Sequence, residues 1–292
     1  MSESPPLPTP RVSAVWLARE TGAPDLRLID ASWYLPGGGD AAADHAAVHI
    51  PGAPFFDIDG IADRASDLPH MLPRPQEFAR AVGRLGVGSG DRVVVYDRGG
   101  VPSAARLWWM FRVFGHDRVA VLDGGLDAWR GVGGAVRGGP ESVTLRAFAA
   151  GFRPQLVADR ARLLAAIADD AVAIVDARSA ARFRGQAPEP RPGLARGHIP
   201  RSRNLPFDLL YRNDGRLAEP ERLRHCFAAA GIDPEGPLIA TCGSGISACS
   251  IALAAARLGN PDCAVYDGSW AEWGADRALP RAMGPHRDRD DT

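Results

Sequence analysis

The sequence contains no lysine, so all 34 of its basic residues are arginines. They stand against 35 acidic residues, and the formal net charge of −1 provides no surplus of positive charge for nucleic acid or an acidic membrane surface. We therefore expect no nucleic-acid partner and no membrane partner. Any anion site must use guanidinium groups, which bind carboxylates in a two-pronged manner.

Long apolar runs are also missing, since no stretch approaches the roughly 18 uninterrupted apolar residues that a membrane span needs. The opening "MSESPPLPTP" lacks the basic-then-apolar pattern of a secretory signal. We expect a cytoplasmic protein with a frayed, proline-rich N-terminus.

Cysteine is scarce as well, with 4 residues, all in the C-terminal half. They form no C-x-x-C pair that would indicate zinc, and so few cysteines argue against a secreted disulfide framework. We expect reduced thiols, and nothing in the motifs requires a metal or a cofactor.

What the sequence does contain is an internal repeat, in which segments of the two halves match in the same order. The matched pairs are "LIDASWYLP" (28–36) with "IVDARSAARFRG" (174–185), "HIPGAPFFDID" (49–59) with "HIPRSRNLPFDLL" (198–210), "VVVYDRGGVPSAARLWWMFRVFG" (93–115) with "LIATCGSGISACSIALAAARLG" (238–259), and "VLDGGLDAW" (121–129) with "VYDGSWAEW" (265–273). A duplicated domain explains this order far better than chance.

Each half reads as an α/β domain. Short apolar runs without alternation, such as "RVVVYD" and "PLIATC", are typical of strands buried on both faces, and helical patterns lie between them. The alternation predicts a mostly parallel central sheet flanked by helices. We place the N-terminal domain at 11–135, a glycine-rich linker at 136–156 and the C-terminal domain at 157–280, followed by a charged, disordered tail.

The most informative loop is "TCGSGISACS", in which Cys242 stands between an apolar strand and a helical stretch. Cysteine is among the most buried residue types, so a lone cysteine there is usually inert. However, Gly243 and Gly245 permit unusual backbone angles, and a helix N-terminus supplies unpaired N–H donors. This setting stabilises a thiolate or an anionic sulfur, and it favours a nucleophile.

The loop "CGSGISAC", the following "DGSWAEW" and the paired halves together resemble the two-domain rhodanese superfamily, and within it the 3-mercaptopyruvate sulfurtransferases. The usual loop of that family reads C-G-S-G-V-T, so Ile246 and Ser247 are conservative departures. Thiosulfate sulfurtransferases typically carry basic residues after the cysteine, whereas Gly243 and Ser244 follow it here. The resemblance implies a catalytic C-terminal domain and a silent N-terminal domain, in which Asp97 replaces the cysteine.

The resemblance also implies an activity. The Cys242 thiolate takes the sulfur of 3-mercaptopyruvate as a persulfide, releases pyruvate, and passes the sulfur to a thiol acceptor such as thioredoxin or to cyanide. The family pattern G-R-F-x-G-x-E-P-E-P-R matches "ARFRGQAPEPR" at Arg182 and Arg191, to which it assigns substrate binding. Ala181 stands for the first glycine of the pattern and "QAPEPR" for the family's "TEPEPR", departures that we interpret as harmless. The loop residues Gly243, Gly245, Ile246 and Ser247 join them.

A Ser–His–Asp arrangement is implied by the same resemblance, on Ser244, His70 and Asp59. A histidine held by a carboxylate can orient a hydroxyl beside the substrate. No spacing rule links His70 to Ser244, and a histidine in a proline-bounded loop is usually exposed. We interpret His49 and His198, which recur in both halves, as structural, and Cys249 as a core residue rather than a resolving thiol.

Three other functions are alternatives to sulfur transfer from 3-mercaptopyruvate. A cysteine phosphatase needs C-x5-R, but residue 248 is alanine. A thiosulfate sulfurtransferase is the nearest enzymatic alternative. A binding module with a vestigial fold remains the non-enzymatic alternative, although an intact Cys242 argues against it.

Overall fold

The computed structural model describes Leu7, residues 10–169 and residues 171–286. The chain forms two compact units. The first comprises the residues up to Asp63, Leu72–Arg153 and Asn213–Leu217, and the second comprises Arg64–Met71, Pro154–Arg212 and the residues from Ala218 onward.

The first unit contains a short sheet and the helices that connect its strands. In chain order its elements are β1 (Arg11–Val12), α1 (Ala14–Glu20), β2 (Leu26–Asp30), α2 (Ala41–Ala47), α3 (Ile58–Ile61), α4 (Pro75–Arg84), β3 (Arg92–Tyr96), α5 (Ser103–Val113), β4 (Val119–Leu122) and α6 (Gly125–Gly131).

The second unit repeats this order with additions. Its elements are β5 (Val157–Ala158), α7 (Arg160–Ala168), β6 (Ala173–Asp176), α8 (Ala180–Phe183), β7 (Arg203–Asn204), α9 (Pro220–Ala229), β8 (Leu238–Thr241), α10 (Ala248–Arg257), β9 (Ala264–Tyr266) and α11 (Ser269–Trp273). Two 3-10 turns lie at Pro154–Leu156 and Phe207–Leu210.

Both units are built on parallel sheets. The strand order is β1-β4-β3-β2 in the first and β5-β9-β8-β6-β7 in the second, and all registered pairs are parallel. The two orders correspond strand for strand, with β7 added at one edge. The predicted duplication of an α/β domain with a parallel sheet flanked by helices is therefore confirmed.

The central strands are buried throughout, which explains their unbroken apolar runs. All five residues of β3 and all four of β8 are buried, because helices cover both faces of a parallel sheet. Behind β8, the alanine-rich α10 buries every residue from Ala248 to Ala255. Among the described residues, no helix combines the length and the apolar character needed to cross a membrane.

The segment expected to link the domains packs against the first unit as far as Arg153. Phe148 contacts Phe78 and Phe111, with ring centroids 5.9 Å apart in each pair. Arg137 forms an antiparallel bridge with His49. The boundaries 11–135, 136–156 and 157–280 stay a prediction.

The expectation of a disordered tail is wrong for residues 280–286. The Trp273 indole donates a hydrogen bond to the Pro280 carbonyl at 2.8 Å, and Ala282 N–H donates to the His198 carbonyl at 2.9 Å. Backbone hydrogen bonds, which composition does not report, hold this segment on the second unit. Residues 287–292 lie outside the described residues, as do residues 1–6, 8 and 9, on which the expected frayed N-terminus falls.

Candidate active site

Cys242 follows β8 directly, at the carboxyl end of the second sheet, where open parallel sheets bind ligands. Cys242 is only 2% exposed. The main chain around it is held by the start of α11, because Trp270 N–H donates to the Cys242 carbonyl at 3.0 Å and Ala271 N–H donates to the Gly243 carbonyl at 2.9 Å. The nucleophile candidate is therefore fixed from both its strand and the neighbouring helix.

The loop between Cys242 and α10 leaves several backbone donors available. Gly245 adopts φ +80°, which glycine tolerates and other residues rarely do. Among the described residues, no acceptor pairs with the N–H groups of Gly243, Ser244, Ile246 or Ser247. A run of unpaired N–H groups before a helix is a favourable environment for an anion.

The sequence indicated that Gly243 provides unusual backbone angles, but the structure gives this glycine a different role. It does not adopt a positive φ. A Cβ atom at this position would lie 2.9 Å from Nη2 of Arg182, so the absence of a side chain lets the guanidinium approach the loop. The structure thus brings Arg182, from α8, beside the residue that follows Cys242.

Arg191 and His70 form a second part of the site within the same unit. Arg191 Nη2 donates to His70 Nε2 at 3.0 Å. A guanidinium can only donate, so Nε2 of His70 accepts and carries no proton in this arrangement. His70 has φ 61°. It is only 6% exposed, although a histidine in a proline-bounded loop is usually exposed.

Ser244 and His70 both belong to the second unit, but no hydrogen bond joins them among the described residues. Ser244 is buried, but within the described part of the chain its hydroxyl has no hydrogen-bond partner. Asp59 belongs to the first unit, where its carboxylate accepts from the Trp33 indole at 2.8 Å. The roles of Ser244, His70 and Asp59 therefore stay a prediction.

Ile246 and Ser247 complete the loop. Ile246 is 2% exposed and packs in the interior, and Ser247 precedes α10 without a side-chain capping bond. Cys249, in the first turn of α10, is fully buried and its thiol donates to the Gly245 carbonyl at 3.2 Å. This contact supports the interpretation of Cys249 as a core residue.

Ser269 is a site residue that sequence reasoning missed. Its hydroxyl oxygen accepts from Cys242 N–H at 3.2 Å, lies 4.0 Å from Cys242 Sγ, and donates to the Tyr266 carbonyl at 2.8 Å. It also adopts φ 49°, a conformation that disfavours non-glycine residues. The repeat held the signal, because the matched position in "DGGLDAW" is Gly125.

The family of the chain follows from comparison with known proteins. Residues 13–131 and 159–276 each match the family described as Rhodanese-like domain. The chain belongs to the rhodanese family. The two matched ranges together cover most of the chain, and each contains the strands of one parallel sheet apart from its first, β1 or β5.

Relatives of this rhodanese chain carry two enzyme names. Human 3-mercaptopyruvate sulfurtransferase is 44% identical over 277 residues, covering 92% of this chain and 93% of the human protein. Bovine thiosulfate sulfurtransferase is 44% identical over 269 residues, covering 90% and 91%. The crystal structure of SseA from Escherichia coli, described as a 3-mercaptopyruvate sulfotransferase with the rhodanese fold, superposes with a TM-score of 0.82 at 40% identity, covering 90% of this chain and 99% of SseA.

This rhodanese site offers a thiol, unpaired backbone N–H donors and arginine side chains in one unit. The N–H donors can hold an anionic sulfur, and the arginines can hold a carboxylate. Such a set can perform covalent catalysis through sulfur.

Proposed function

We propose that the protein transfers the sulfur of 3-mercaptopyruvate through a persulfide on Cys242. The observation that carries the proposal is the position of Cys242 at the end of β8, ahead of a loop with unpaired N–H donors and beside Arg182. The names of the human and bacterial relatives support the same donor.

The first half-reaction balances without another reactant. The Cys242 thiolate attacks the sulfur of the donor, an S–S bond forms, and the C–S bond breaks with its electron pair on carbon. The resulting enolate takes up a proton, equivalent to the one that the donor thiol loses, and leaves as pyruvate. The loop N–H groups stabilise the persulfide anion that remains.

Arg182 and Arg191 bind the carboxylate and carbonyl oxygens of the donor in this proposal. In the free protein Arg191 donates to His70. When the donor carboxylate takes over Arg191, Nε2 of His70 becomes available to accept from Ser244. With Asp59 as its orienting carboxylate, His70 then guides a proton toward the enolate.

In the second half-reaction, the outer sulfur passes to a thiol acceptor, such as thioredoxin, or to cyanide. A thiolate or cyanide attacks the outer sulfur, and the electron pair of the S–S bond returns to Cys242. This restores the thiolate for the next donor molecule.

Thiosulfate is the second candidate donor, because the bovine relative is named for it. The loop residues Gly243 and Ser244 are uncharged, and a compact dianion gains less from such a loop than from one with cations. Initial rates with both donors at several concentrations decide between them. A higher kcat/KM for thiosulfate would overturn the choice of 3-mercaptopyruvate.

Intact-mass spectrometry tests the persulfide. Incubation with 3-mercaptopyruvate in the absence of reductant should add one sulfur, about 32 Da, to the wild-type protein and nothing to Cys242→Ser. Cys249→Ala is the matched control and should keep the adduct. Absence of the adduct in the wild type would favour a binding module with a rhodanese fold.

We also place the protein in the cytoplasm. All four cysteines are free thiols buried in the fold, which fits a reducing compartment. Cell fractionation with an antibody against the native protein tests this, and enrichment in an oxidising compartment would contradict it.

A further inference from the structure

We propose that Glu189 is a positioning residue that aims Arg182 at the Cys242 loop, and that its negative charge favours a monoanionic sulfur donor over a dianionic one. The proposal rests on the proposed sulfur transfer. The pattern G-R-F-x-G-x-E-P-E-P-R includes Glu189 without giving it a role, and the contacts of the folded chain point to one.

Glu189 joins two arginines. Its Oε1 accepts from Arg178 Nη1 at 2.8 Å, and its Oε2 accepts from Arg182 Nη2 at 2.5 Å and from Arg182 Nε at 3.2 Å. The Glu189 side chain is only 2% exposed, while that of Arg182 is 25% exposed. A buried carboxylate thus holds one edge of a guanidinium whose other end remains accessible.

Arg178 anchors this carboxylate. Its side chain is fully buried and is bound by Asp176, with Nη2 to Oδ2 at 2.6 Å, and its guanidinium lies 4.3 Å from the centre of the Trp270 ring. Burial disfavours its charged form, but the carboxylates of Asp176 and Glu189 outweigh burial and raise the pKa of Arg178. The main-chain N–H of Trp270 in turn donates to the Cys242 carbonyl, so the anchor and the nucleophile share a neighbour.

The orientation of Arg182 follows from this anchor. Because Glu189 engages Nε and Nη2 along one edge, Nη1 and the second hydrogen of Nη2 are directed away from Glu189. Nη2 also lies against Gly243, where a Cβ atom would approach it to 2.9 Å. Glu189 therefore decides where Arg182 presents its remaining donors, which is beside the residue after Cys242.

The charge of Glu189 has a separate effect. Asp176 and Glu189 balance Arg178 and Arg182, so these four groups together provide hydrogen-bond donors without a surplus charge. Replacing Glu189 by neutral glutamine adds one positive charge beside the loop. Thiosulfate carries two negative charges and 3-mercaptopyruvate carries one carboxylate, so the added charge favours thiosulfate.

Two substitutions separate position from charge. Glu189→Gln keeps the length of the side chain and removes its charge, whereas Glu189→Asp keeps the charge and shortens the reach to Arg182. Both should raise the KM for 3-mercaptopyruvate about tenfold, because Arg182 loses its fixed orientation. Glu189→Asp should raise the KM for thiosulfate by a similar factor, because Arg182 is misplaced for either donor. Only Glu189→Gln should therefore raise the ratio of kcat/KM for thiosulfate over 3-mercaptopyruvate, by about tenfold.

Alkylation supplies a readout that does not depend on turnover. Iodoacetate carries a negative charge and iodoacetamide is neutral. The rate of Cys242 alkylation by iodoacetate divided by the rate with iodoacetamide therefore reports the local electrostatic potential. Peptide mass spectrometry assigns the alkylated cysteine. Glu189→Gln should raise this ratio, and Glu189→Asp should lower it or leave it unchanged. Glu235→Gln is the matched control, because Glu235 is exposed and precedes β8, at the opposite end of the strand from Cys242.

The outcomes are distinguishable. If the wild type transfers no sulfur from either donor, the proposed function is wrong. The alkylation ratio still tests the effect of the Glu189 charge in that case. An unchanged ratio in a Glu189→Gln protein with native near-UV circular dichroism overturns the charge effect. If Glu189→Gln does not fold, an unchanged KM in Glu189→Asp overturns the positioning role.

Discussion

The two units carry the same strand-to-helix turn with different groups in it. In the first unit Asp97 follows β3, and its carboxylate accepts from Gly99 N–H at 3.1 Å and from Ala104 N–H at 2.9 Å. In the second unit Cys242 follows β8, and within the described part of the chain the N–H groups of Gly243, Ser244, Ile246 and Ser247 have no acceptor. The first unit shows that N–H groups of this turn can donate to the oxygens of a side chain placed in it.

Burial raises the pKa of Asp97, although the two N–H donors oppose that shift. The carboxylate occupies two N–H donors of its own turn. The second unit carries a thiol in the same place, and its sulfur can accept an additional sulfur atom. The scaffold thus requires neither group, and packing does not explain why cysteine is present.

The residue at the start of the helix that packs against each turn also differs between the two units. Gly125 adopts φ +54°, and a Cβ atom there would lie 2.2 Å from the Asp97 carbonyl oxygen. Ser269 occupies the matched corner with φ 49° and uses its hydroxyl to hold Cys242 N–H. The second unit therefore retains backbone strain where the first avoids it, as is common at functional sites.

The groups around the turn differ most. Asp30 in the first unit is bound by His45 and Ser32, whereas Asp176 in the second is bound by Arg178, which continues to Glu189 and Arg182. In the aligned repeat, Pro36 stands where the second unit has Arg182. We infer that the turn alone does not suffice for sulfur transfer and that the arginine network is a second requirement.

Moving the cysteine should have the largest effect. The double variant Cys242→Ser with Asp97→Cys places a thiol in the first turn, where Pro36 offers no guanidinium. Sulfur transfer from 3-mercaptopyruvate should be at least about 10³-fold below the wild type. The single variant Asp97→Cys should keep wild-type turnover. Restored turnover in the double variant would show that the turn is sufficient.

The two substitutions at Ser269 should have an intermediate effect. Ser269→Ala loses the partner of Cys242 N–H and keeps the left-handed backbone, so the free energy of unfolding should fall by about 1–3 kcal/mol. Ser269→Gly copies Gly125 and relieves part of that strain, so it should be more stable than Ser269→Ala. Both should lower kcat about tenfold, because the nucleophile is held less firmly.

Urea unfolding and initial rates measure these effects. The prediction depends most on the order of the free energies of unfolding, which should be highest for the wild type, lower for Ser269→Gly and lowest for Ser269→Ala. A Ser269→Ala protein as stable as the wild type would mean that the hydroxyl does not hold the loop.

The sequence was sufficient for the duplication, the parallel sheets and the loop at Cys242, because repeated apolar runs and a glycine-flanked turn are local patterns. It was not sufficient for Ser269, Glu189 or the pairing of Arg191 with His70. Ser269 lies 27 residues from Cys242, and Arg191 lies 121 residues from His70. Contacts of this kind depend on how strands and helices pack, which spacing does not encode.

Gly243 illustrates the same limit. The sequence pointed to backbone freedom at this glycine, whereas in the structure the missing side chain leaves room for the guanidinium of Arg182, a residue from another element. The tail at 280–286 is a further case, because a charged composition gave no indication of the backbone bonds that hold it.

The matched histidines extend the comparison to stability. His49 Nε2 lies 2.9 Å from Glu141 Oε1, while the Nδ1 of His198 donates to the Phe183 carbonyl at 2.8 Å and its ring stacks on Phe183 at 3.7 Å. Burial lowers the pKa of His198, so this histidine is neutral. Among the described residues, His49 pairs with a carboxylate, whereas His198 pairs with a main-chain carbonyl.

Glu141→Gln should lower the free energy of unfolding by about 1–3 kcal/mol at pH 7. Burial opposes ionisation of Glu141, but hydrogen bonds from Gly52 N–H and His49 outweigh it and lower the pKa of Glu141 below its usual 4.5. The contribution is therefore complete above that value and is lost as the pH falls below it. Urea unfolding at pH 7 and at about pH 3.5 should show the difference between wild type and variant shrinking. A difference that is constant with pH would mean that the Glu141 charge is irrelevant.

Cys249→Ala should have the smallest effect. The first unit carries alanine at both positions that can align with Cys249, and Ala104 and Ala105 are buried there as Cys249 is in α10. The thiol contributes one hydrogen bond to the Gly245 carbonyl, so its loss should lower the free energy of unfolding by about 1 kcal/mol. Turnover should change less than about twofold, because the backbone of the loop is held mainly by α11. A much slower recovery of activity after oxidation by peroxide, relative to wild type, would instead assign Cys249 a role as a resolving thiol, and the second unit would then differ from the first in two sulfurs rather than one.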